Sequence, residues 1–197
     1  MNKKTKKSLI EYGIIIAIFA GLYITGLHTE VLGFLQRGIL ATGLMDPKIE
    51  KDPAFVENEK LPLADLSMSL INSKGESLEM EDLKGKVIFL NIWATWCPPC
   101  VAEMPGINKL YNDIDKDKVA FVLLSVDQDF QKAVDYNNKK GYDFEVYDTT
   151  TGIPDMFLSQ SIPTTYVINS RGELVLTHMG MGDYDTDDFR QFLIDQY

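Results

Sequence analysis

The stretch WATWCPPC, from Trp93 to Cys100, contains both cysteines of the chain, with two prolines between them. It follows an apolar run of strand type at 87–92 and precedes a helical pattern. A Cys-x-x-Cys pair at a strand-to-helix junction is typical of a redox-active dithiol. Zinc would need two more ligands, but there is no second Cys pair, and the two histidines, His28 and His178, lie far from the motif in sequence. We therefore expect a dithiol/disulfide pair that uses no metal and no cofactor.

Charge is distributed unevenly along the 197 residues. The formal net charge is −10, yet residues 1–45 carry five basic and two acidic side chains, which leaves that part at +3 and the remainder at −13. Nucleic-acid binding depends on neutralising phosphates with Lys and Arg. The acidic remainder therefore argues against a nucleic-acid partner. The length suits one domain of about 140 residues plus additional segments.

The N-terminus predicts a membrane anchor. Four lysines precede Leu9–Leu27, a run of 19 residues with a single charge, Glu11. As a helix the run would extend about 28 Å, close to the hydrocarbon thickness of a bilayer. The lysines should stay on the cytoplasmic side, which places the rest of the chain outside a bacterial cytoplasmic membrane that it crosses once. A cleaved signal peptide is the alternative, although no small-x-small site follows the run directly.

The chain then divides into further segments. The predicted organisation is a basic cytoplasmic tail at 1–8, a transmembrane signal-anchor helix at 9–27, a membrane-proximal segment and linker at 28–60, and a globular domain at 61–197. Within the linker, residues 31–45 are apolar with helix-like spacing but too short to span a bilayer as a helix. This segment either lies in the membrane interface, docks on the globular domain or extends the hydrophobic region, and the sequence leaves these open.

Strand and helix patterns alternate from residue 61 onward. Strands are predicted at 66–71, 77–80, 87–93, 119–126, 144–147, 165–169 and 173–178. Helices are predicted at 98–114, 127–140, 154–159 and 185–196. This order indicates an α/β fold with a central mixed sheet, helices on both of its faces and an N-terminal β-hairpin extension.

Four motifs in this order resemble the membrane-anchored TlpA/ResA-like family of thiol-disulfide oxidoreductases, which have the thioredoxin fold. They are KGK at 84–86, NIWATWCPPC at 91–100, EMP at 103–105 and SIPT at 161–164, and the run YVINSRG at 166–172 fits as well. The resemblance covers about Leu61–Tyr197. It implies that the Ile162–Pro163 peptide is cis and that its backbone faces the dithiol and pairs with a bound target chain, as the sequence permits.

The resemblance also assigns roles within the site. Cys97 is the expected nucleophile and Cys100 the resolving cysteine. The residues expected to contact a target are Trp96, Pro98, Pro99, Ile162 and Thr164. This chain has Asn91 where cytoplasmic thioredoxins keep a buried acid, so Glu103 becomes the candidate proton acceptor. The alternative for Glu103 is that it complements the positive end of the helix.

The two prolines predict how acidic the nucleophile is. If Cys97 is the N-cap, its sulfur lies where amide donors and the helix dipole favour an anion. Pro98 suits the first helical position, where an N–H has little use. Because an N-cap acceptor draws on the N–H groups two and three residues on, and Pro99 has none, only the Cys100 amide remains. We expect a thiol of moderate acidity, which favours a reductant.

The moderate acidity favours a reductant, and the family resemblance implies that its targets are disulfides of envelope proteins, apocytochrome c among them, with electrons from an upstream membrane donor. The same site run in reverse would be an oxidant, since direction depends on the reduction potential. A thiol peroxidase of the same fold would carry a Pro-x-x-x-Thr-x-x-Cys pattern, which the chain fits poorly. A copper chaperone would need a Cys-x-x-x-Cys spacing and a well-placed His, and neither is evident. His178 is expected to be structural or solvent-facing, and Trp93 a core residue.

Overall fold

The structure is a computed structural model that describes residues 3–25, 27–40, 47 and 61–197. Within this part of the chain the α-helices are α1 (Lys3–Ile24), α2 (Leu27–Leu40), α3 (Pro98–Asp113), α4 (Gln131–Lys140) and α5 (Asp187–Ile194). The strands are β1 (Ser69–Asn72), β2 (Ser77–Glu79), β3 (Val87–Trp93), β4 (Val119–Ser125), β5 (Val146–Thr149), β6 (Thr164–Ile168) and β7 (Leu174–Met179). Short 3-10 helices cover Met80–Leu83 and Asp155–Phe157.

The strands form a mixed sheet in the order β2-β1-β5-β4-β3-β6-β7. Strands β3, β4 and β5 are parallel, and the other neighbours are antiparallel. All seven residues of β3 are buried. A near-continuous apolar run is what a strand covered on both faces requires. The predicted thioredoxin fold is confirmed, with the β1–β2 hairpin at one edge of its mixed sheet.

The two faces of the sheet are covered differently. Alternate residues of β3 enter two apolar clusters, so that Phe89 packs with residues of α3, α4 and α5, whereas Leu90 packs on the opposite side. On that opposite side the cover comes from Leu66, Met68 and the two 3-10 helices. Helices therefore cover both faces as predicted, with α3, α4 and α5 on one face and only the two short 3-10 helices on the other. Successive right-handed crossovers from β3 to β4 to β5 progress in one direction, which places α3 and α4 on the same face.

Element boundaries differ from the prediction mainly at helix starts. The helix expected from Asp127 begins at Gln131, and it ends as expected at Gly141, whose φ of 66° provides a left-handed C-cap. The strand expected at 66–71 begins at Ser69. Residues 64–68, before it, have no regular secondary structure, yet Leu66 and Met68 are buried in the core.

The N-terminal helices do not form one straight span. In the described residues no single helix is both long enough and apolar enough to cross a membrane. Ile10–Ile24 and Leu27–Leu40 together are long and apolar enough, but a bend of 94° separates them. Leu27, expected to finish the anchor, instead begins α2, which packs against α3. Residues 41–46 and 48–60, most of the predicted linker, lie outside the described residues.

Candidate active site

The two cysteines lie where the central strand turns into the helix that covers it. Strand β3 ends at Trp93 and α3 begins at Pro98, so Cys97 precedes the first helical residue and Cys100 lies in the first turn. The sulfurs form a disulfide with an S–S distance of 2.10 Å. Cys97 is 4% exposed and Cys100 is fully buried. An incoming sulfur therefore meets Cys97 first, as its expected role as nucleophile requires.

The sulfur of Cys97 caps the N-terminus of α3. Cys97 has extended dihedrals, and the Cys100 N–H donates to its Sγ at 3.2 Å. Pro98 and Pro99 occupy the first two helical positions and have no N–H to offer. The sulfur thus receives a single amide in addition to the helix dipole. This is the geometry from which the moderate acidity of Cys97 was predicted.

A loop from the neighbouring strand faces the disulfide. The Ile162–Pro163 peptide is cis, as the resemblance implied, and the Ile162 carbonyl oxygen lies 3.7 Å from Cys97 Sγ. Pro163 directly precedes β6, which pairs with β3 and so brings this loop beside the cysteines. Pro163 is buried and Ile162 is partly exposed. The target-pairing role of this loop stays a prediction.

The side chain of Thr164 is directed into the loop that carries Pro163. It is fully buried, and its hydroxyl donates to the Ser161 carbonyl oxygen and lies 2.8 Å from Ser159 Oγ. These bonds fix the loop that carries Pro163. Thr164 therefore fits a positioning role for this loop, and its expected contact with a target stays a prediction.

An exposed apolar rim surrounds the motif. Trp96 is 58% exposed, and Pro98 and Pro99 are partly exposed beside it. Trp93, the last residue of β3, is fully buried and packs with Tyr136 at 5.8 Å between ring centroids. The two tryptophans thus occupy the rim and the core, as the sequence predicted.

Asp127 is a site residue that sequence reasoning missed. Its carboxylate accepts hydrogen bonds from the Thr95 N–H at 2.9 Å, the Thr95 hydroxyl at 2.7 Å and the Ser125 hydroxyl at 2.9 Å. These bonds tie the loop before Cys97 to the end of β4. The signal available in the sequence was an acid directly after a buried strand, because the carboxyl ends of neighbouring parallel strands share one edge.

Glu103 lies in a buried polar network on the same helix as Cys100. It is 1% exposed, and its carboxylate accepts from Asn91 Nδ2 at 2.8 Å and from the Gly182 N–H at 3.0 Å. Asn91 Nδ2 also donates to Thr165 Oγ1 at 2.9 Å, which accepts in turn from the Tyr184 hydroxyl at 2.7 Å. The helix-end alternative for Glu103 does not describe this placement, since the side chain points into the core.

Burial changes the protonation of this carboxyl. Removal from water raises the pKa of Glu103 to about 8, while the hydrogen bonds from Gly182 and Asn91 act in the opposite direction. A carboxyl that titrates near neutral pH can take or return a proton during exchange. Glu103 follows Cys100 by three residues and so shares its helix face. The geometry fits a proton acceptor, and that role remains a proposal.

Gly182 is required by the shape of this network. A Cβ at this position would lie 2.7 Å from Cζ of Tyr184, which leaves no room for a side chain. The glycine thereby lets its N–H approach Glu103. His178, on the nearby strand β7, is partly buried, and its ring packs edge-on against Tyr184 at 6.3 Å between ring centroids. Burial lowers the pKa of His178.

Comparison with known proteins places this site in a family. Residues 58–177 match the model of the AhpC/TSA family, which is more than half of the chain. The chain belongs to the AhpC/TSA family. This family member is 33% identical over 122 residues to the thiol-disulfide oxidoreductase ResA of Halalkalibacterium halodurans, covering 61% of this chain and 69% of that protein. It is 31% identical over 153 residues to the thioredoxin-like protein YneN of Bacillus subtilis, covering 76% and 87%.

A solved structure agrees with these relatives. The thiol:disulfide interchange protein of the thioredoxin family from Chlorobium tepidum TLS superposes with a TM-score of 0.59 at 25% identity, covering 70% of this chain and 99% of that one. The expected thioredoxin-like, ResA-like relationship is confirmed. With the Cys97–Cys100 pair at the helix terminus, this AhpC/TSA family member is a thiol-disulfide oxidoreductase.

Proposed function

We propose that the chain is a membrane-tethered reductant that acts outside the cytoplasm on disulfides of envelope proteins, apocytochrome c among them. The observation that carries the direction is the single amide donor at Cys97 Sγ, given by Cys100 at 3.2 Å. A strongly oxidising pair depends on a heavily stabilised thiolate. With prolines in both preceding helical positions, this thiolate has less stabilisation, which favours the disulfide form and hence electron donation to clients.

Exchange would proceed in two steps that conserve atoms and electrons. The Cys97 thiolate attacks one sulfur of a client disulfide, which forms a mixed disulfide and releases the other client sulfur as a thiolate. Cys100 then loses its proton, for which Glu103 is the proposed acceptor, and attacks Cys97 Sγ. The client leaves fully reduced and the Cys97–Cys100 disulfide forms. An upstream membrane donor restores the dithiol with two electrons and two protons.

The tether is supported by the N-terminal sequence. Four lysines precede an apolar run, and the large apolar side chains of α1 that the structure describes, such as Ile14, Ile16 and Ile18, are exposed. Exposed apolar surface of this extent normally marks a lipid or protein contact. The basic side is expected to remain cytoplasmic, which directs residues 61–197 to the outside.

Trapping tests the exchange mechanism and identifies the client. In Cys100→Ser the second step is blocked, so we expect clients to accumulate as mixed disulfides on Cys97, recoverable from membranes and released by reductant. The matched control is Cys97→Ser/Cys100→Ser, which should recover none. If Cys100→Ser recovers no more covalent partner than this control, the exchange mechanism is wrong.

The reduction potential decides the direction. We expect the full chain in detergent to be more reducing than about −230 mV, the lower end of the glutaredoxin range. A value of about −120 mV, typical of strong disulfide oxidants, would reverse the proposed direction.

Labelling with a membrane-impermeant thiol reagent on intact cells tests the location, since an extracytoplasmic Cys97 should react when reduced.

A further inference from the structure

The second helix, α2, has its polarity reversed relative to an ordinary surface helix. Its inner side, including Thr29, Gly33 and Leu40, is buried against the domain. The opposite side carries large apolar side chains that are 45–68% exposed: Leu27, Val31, Leu32, Phe34, Leu35 and Ile39. We call these six residues the outward face of α2. None of them is charged, whereas a surface helix in water normally presents its polar side to the solvent.

The inner side of α2 packs directly behind the redox motif. A Cβ at Gly33 would lie 3.2 Å from the Pro98 carbonyl oxygen and 3.2 Å from Cγ1 of Val101, so the two helix backbones approach closely here. Farther along, Leu40 packs with Ala102 of α3. Glu30 pairs with Lys140 of α4 at 2.5 Å. The helix is thus fixed to the elements that carry and flank Cys97.

The surroundings of the outward face indicate what covers it. Arg37 lies at its border, with its guanidinium stacked over Phe34 at 5.5 Å. Two more cations, Lys132 and Lys139, line a cleft that includes Leu27 at the start of α2, where Lys139 also lies 3.7 Å from the Glu30 carboxylate. An apolar face bordered by cations is complementary to a bilayer with anionic headgroups. The face also continues into α1, and the 94° bend would lay α2 along the membrane plane if α1 stands upright.

We propose that the outward face of α2 lies in the bilayer interface and that, through its packing on α3, it holds the Cys97–Cys100 pair at a fixed short distance from the membrane. This inference rests on the membrane tether of the proposed function and adds an orientation to it. The dithiol is separated from the bilayer by α2 and the start of α3, roughly two helix diameters or about 20 Å. Electron donors and clients would then be engaged at the membrane surface.

Spin labels of the full chain test the occupant of the face. In a Cys97→Ser/Cys100→Ser background reconstituted into vesicles of phosphatidylethanolamine and phosphatidylglycerol, nitroxides are attached at Leu35→Cys and, as a water-exposed control, at Lys74→Cys. We expect the label at 35 to collide with oxygen in preference to a water-soluble nickel complex, with an oxygen-to-nickel ratio several-fold above that at 74. Free access of nickel at 35 would overturn the proposal. Protection from both quenchers would overturn it too, because it would indicate a protein partner or a second copy.

Failure of the tether is distinguishable from failure of this inference. Chain that is washed off the vesicles by alkaline carbonate would refute the tether and the inference together. Chain that resists the wash but whose label at 35 is accessible to nickel refutes only the interfacial placement of α2. Disulfide reduction by the unlabelled wild-type chain in the same vesicles reports on exchange independently of both.

A glycine pair within α2 tests the coupling to the active-site helix. Gly33→Val should push α2 away from Pro98 and Val101, whereas Gly38→Val is the matched control, because nothing lies within 4 Å of its Cβ position. With labels at both 35 and 74 in the same background, we expect the interspin distance distribution to broaden several-fold in Gly33→Val and to stay narrow in Gly38→Val. Equal distributions in the two variants would overturn the proposed rigid connection.

Discussion

Cys97 and Glu103 divide the chemistry between a sulfur at a helix terminus and a carboxyl in the core. The pKa of the sulfur depends on how many amide N–H groups donate to it. The pKa of the carboxyl depends on its removal from water. The two prolines of α3 remove donors from the sulfur, whereas the carboxyl of Glu103 is enclosed by residues outside α3, among them Asn91 and Gly182. Substitutions of single residues should therefore move the two titrations separately.

The amide count at Cys97 predicts different effects for the two prolines. Pro99→Ala restores an N–H at the second helical position, within reach of the capping sulfur, and should lower the Cys97 pKa by about one unit or more. Pro99→His should lower it as well and make the pair more oxidising. Pro98→Ala is the control, because an N–H at the first position does not point at the cap. The Cys97 pKa of each of the three variants is measured from the thiolate absorbance of the reduced protein as a function of pH. An unchanged pKa in Pro99→Ala would contradict the capping argument.

The raised pKa of Glu103 predicts that stability falls as pH rises. The ordinary value is 4.5 and burial raises the pKa to about 8, so between these values the native state holds a proton that the unfolded chain has released. Stability therefore decreases with pH across this window, by on the order of a few kcal/mol. Glu103→Gln cannot titrate and should lack this part of the decrease. Denaturant unfolding of the oxidised chain in detergent, from about pH 5 to about pH 9, gives the free energy of unfolding of the wild type and of Glu103→Gln. If the two free energies change with pH in the same way, the raised pKa is ruled out.

The loop between β3 and α3 depends on a neighbouring strand for its position. Asp127, just beyond β4, holds Thr95 by its N–H and its hydroxyl, so the rim and the N-cap are built across two strands. The loop from Ser161 to Pro163 is fixed in the same way by Thr164 at the start of β6. Strand ends that meet at one edge of the sheet thus supply the parts of the site.

Removal of the Asp127 carboxylate should release the loop before Cys97. Asp127→Ala leaves buried donors unpaired, which we expect to cost about 1–3 kcal/mol of stability and to slow disulfide reduction. Asp135 is an exposed acid on α4, and Asp135→Ala is the control. It should change the stability and the rate of disulfide reduction only a little. Thermal unfolding and the kcat/KM for reduction of a model disulfide substrate are measured together. Wild-type values for both in Asp127→Ala would show that the loop is positioned by other contacts.

At the scale of the whole molecule, redox state and stability are linked. If the pair is a reductant, its disulfide form is favoured by the native fold relative to the unfolded chain, so oxidation must stabilise the fold to the same extent. We expect the oxidised chain in detergent to melt above the reduced chain. Cys97→Ser/Cys100→Ser controls for effects of the reducing agent and should melt at one temperature in both buffers. A reduced form that melts higher would indicate an oxidant.

Much of the fold was predictable because its signals are local. The buried run 87–93 became β3 with the expected bounds, and Gly141 ended α4. The role of Asp127 was not predictable. The sequence pattern placed it at the start of a helix, and its hydrogen bonds to Thr95 exist only because folding brings the two residues together. The distribution of helices over the two sheet faces was also not predictable from pattern alone, because it depends on strand order.

The sequence by itself determined that the protein has a redox pair at a helix terminus, how many amides can reach its nucleophile and where the chain is most apolar. These follow from residue type and spacing, which act over one or two turns. Only the tertiary structure decided that Glu103 is buried beside Asn91 and Gly182, and that α2 packs behind Cys97 with its apolar side outward. Burial and helix packing are set by residues far apart in the chain, and their proximity is created by folding.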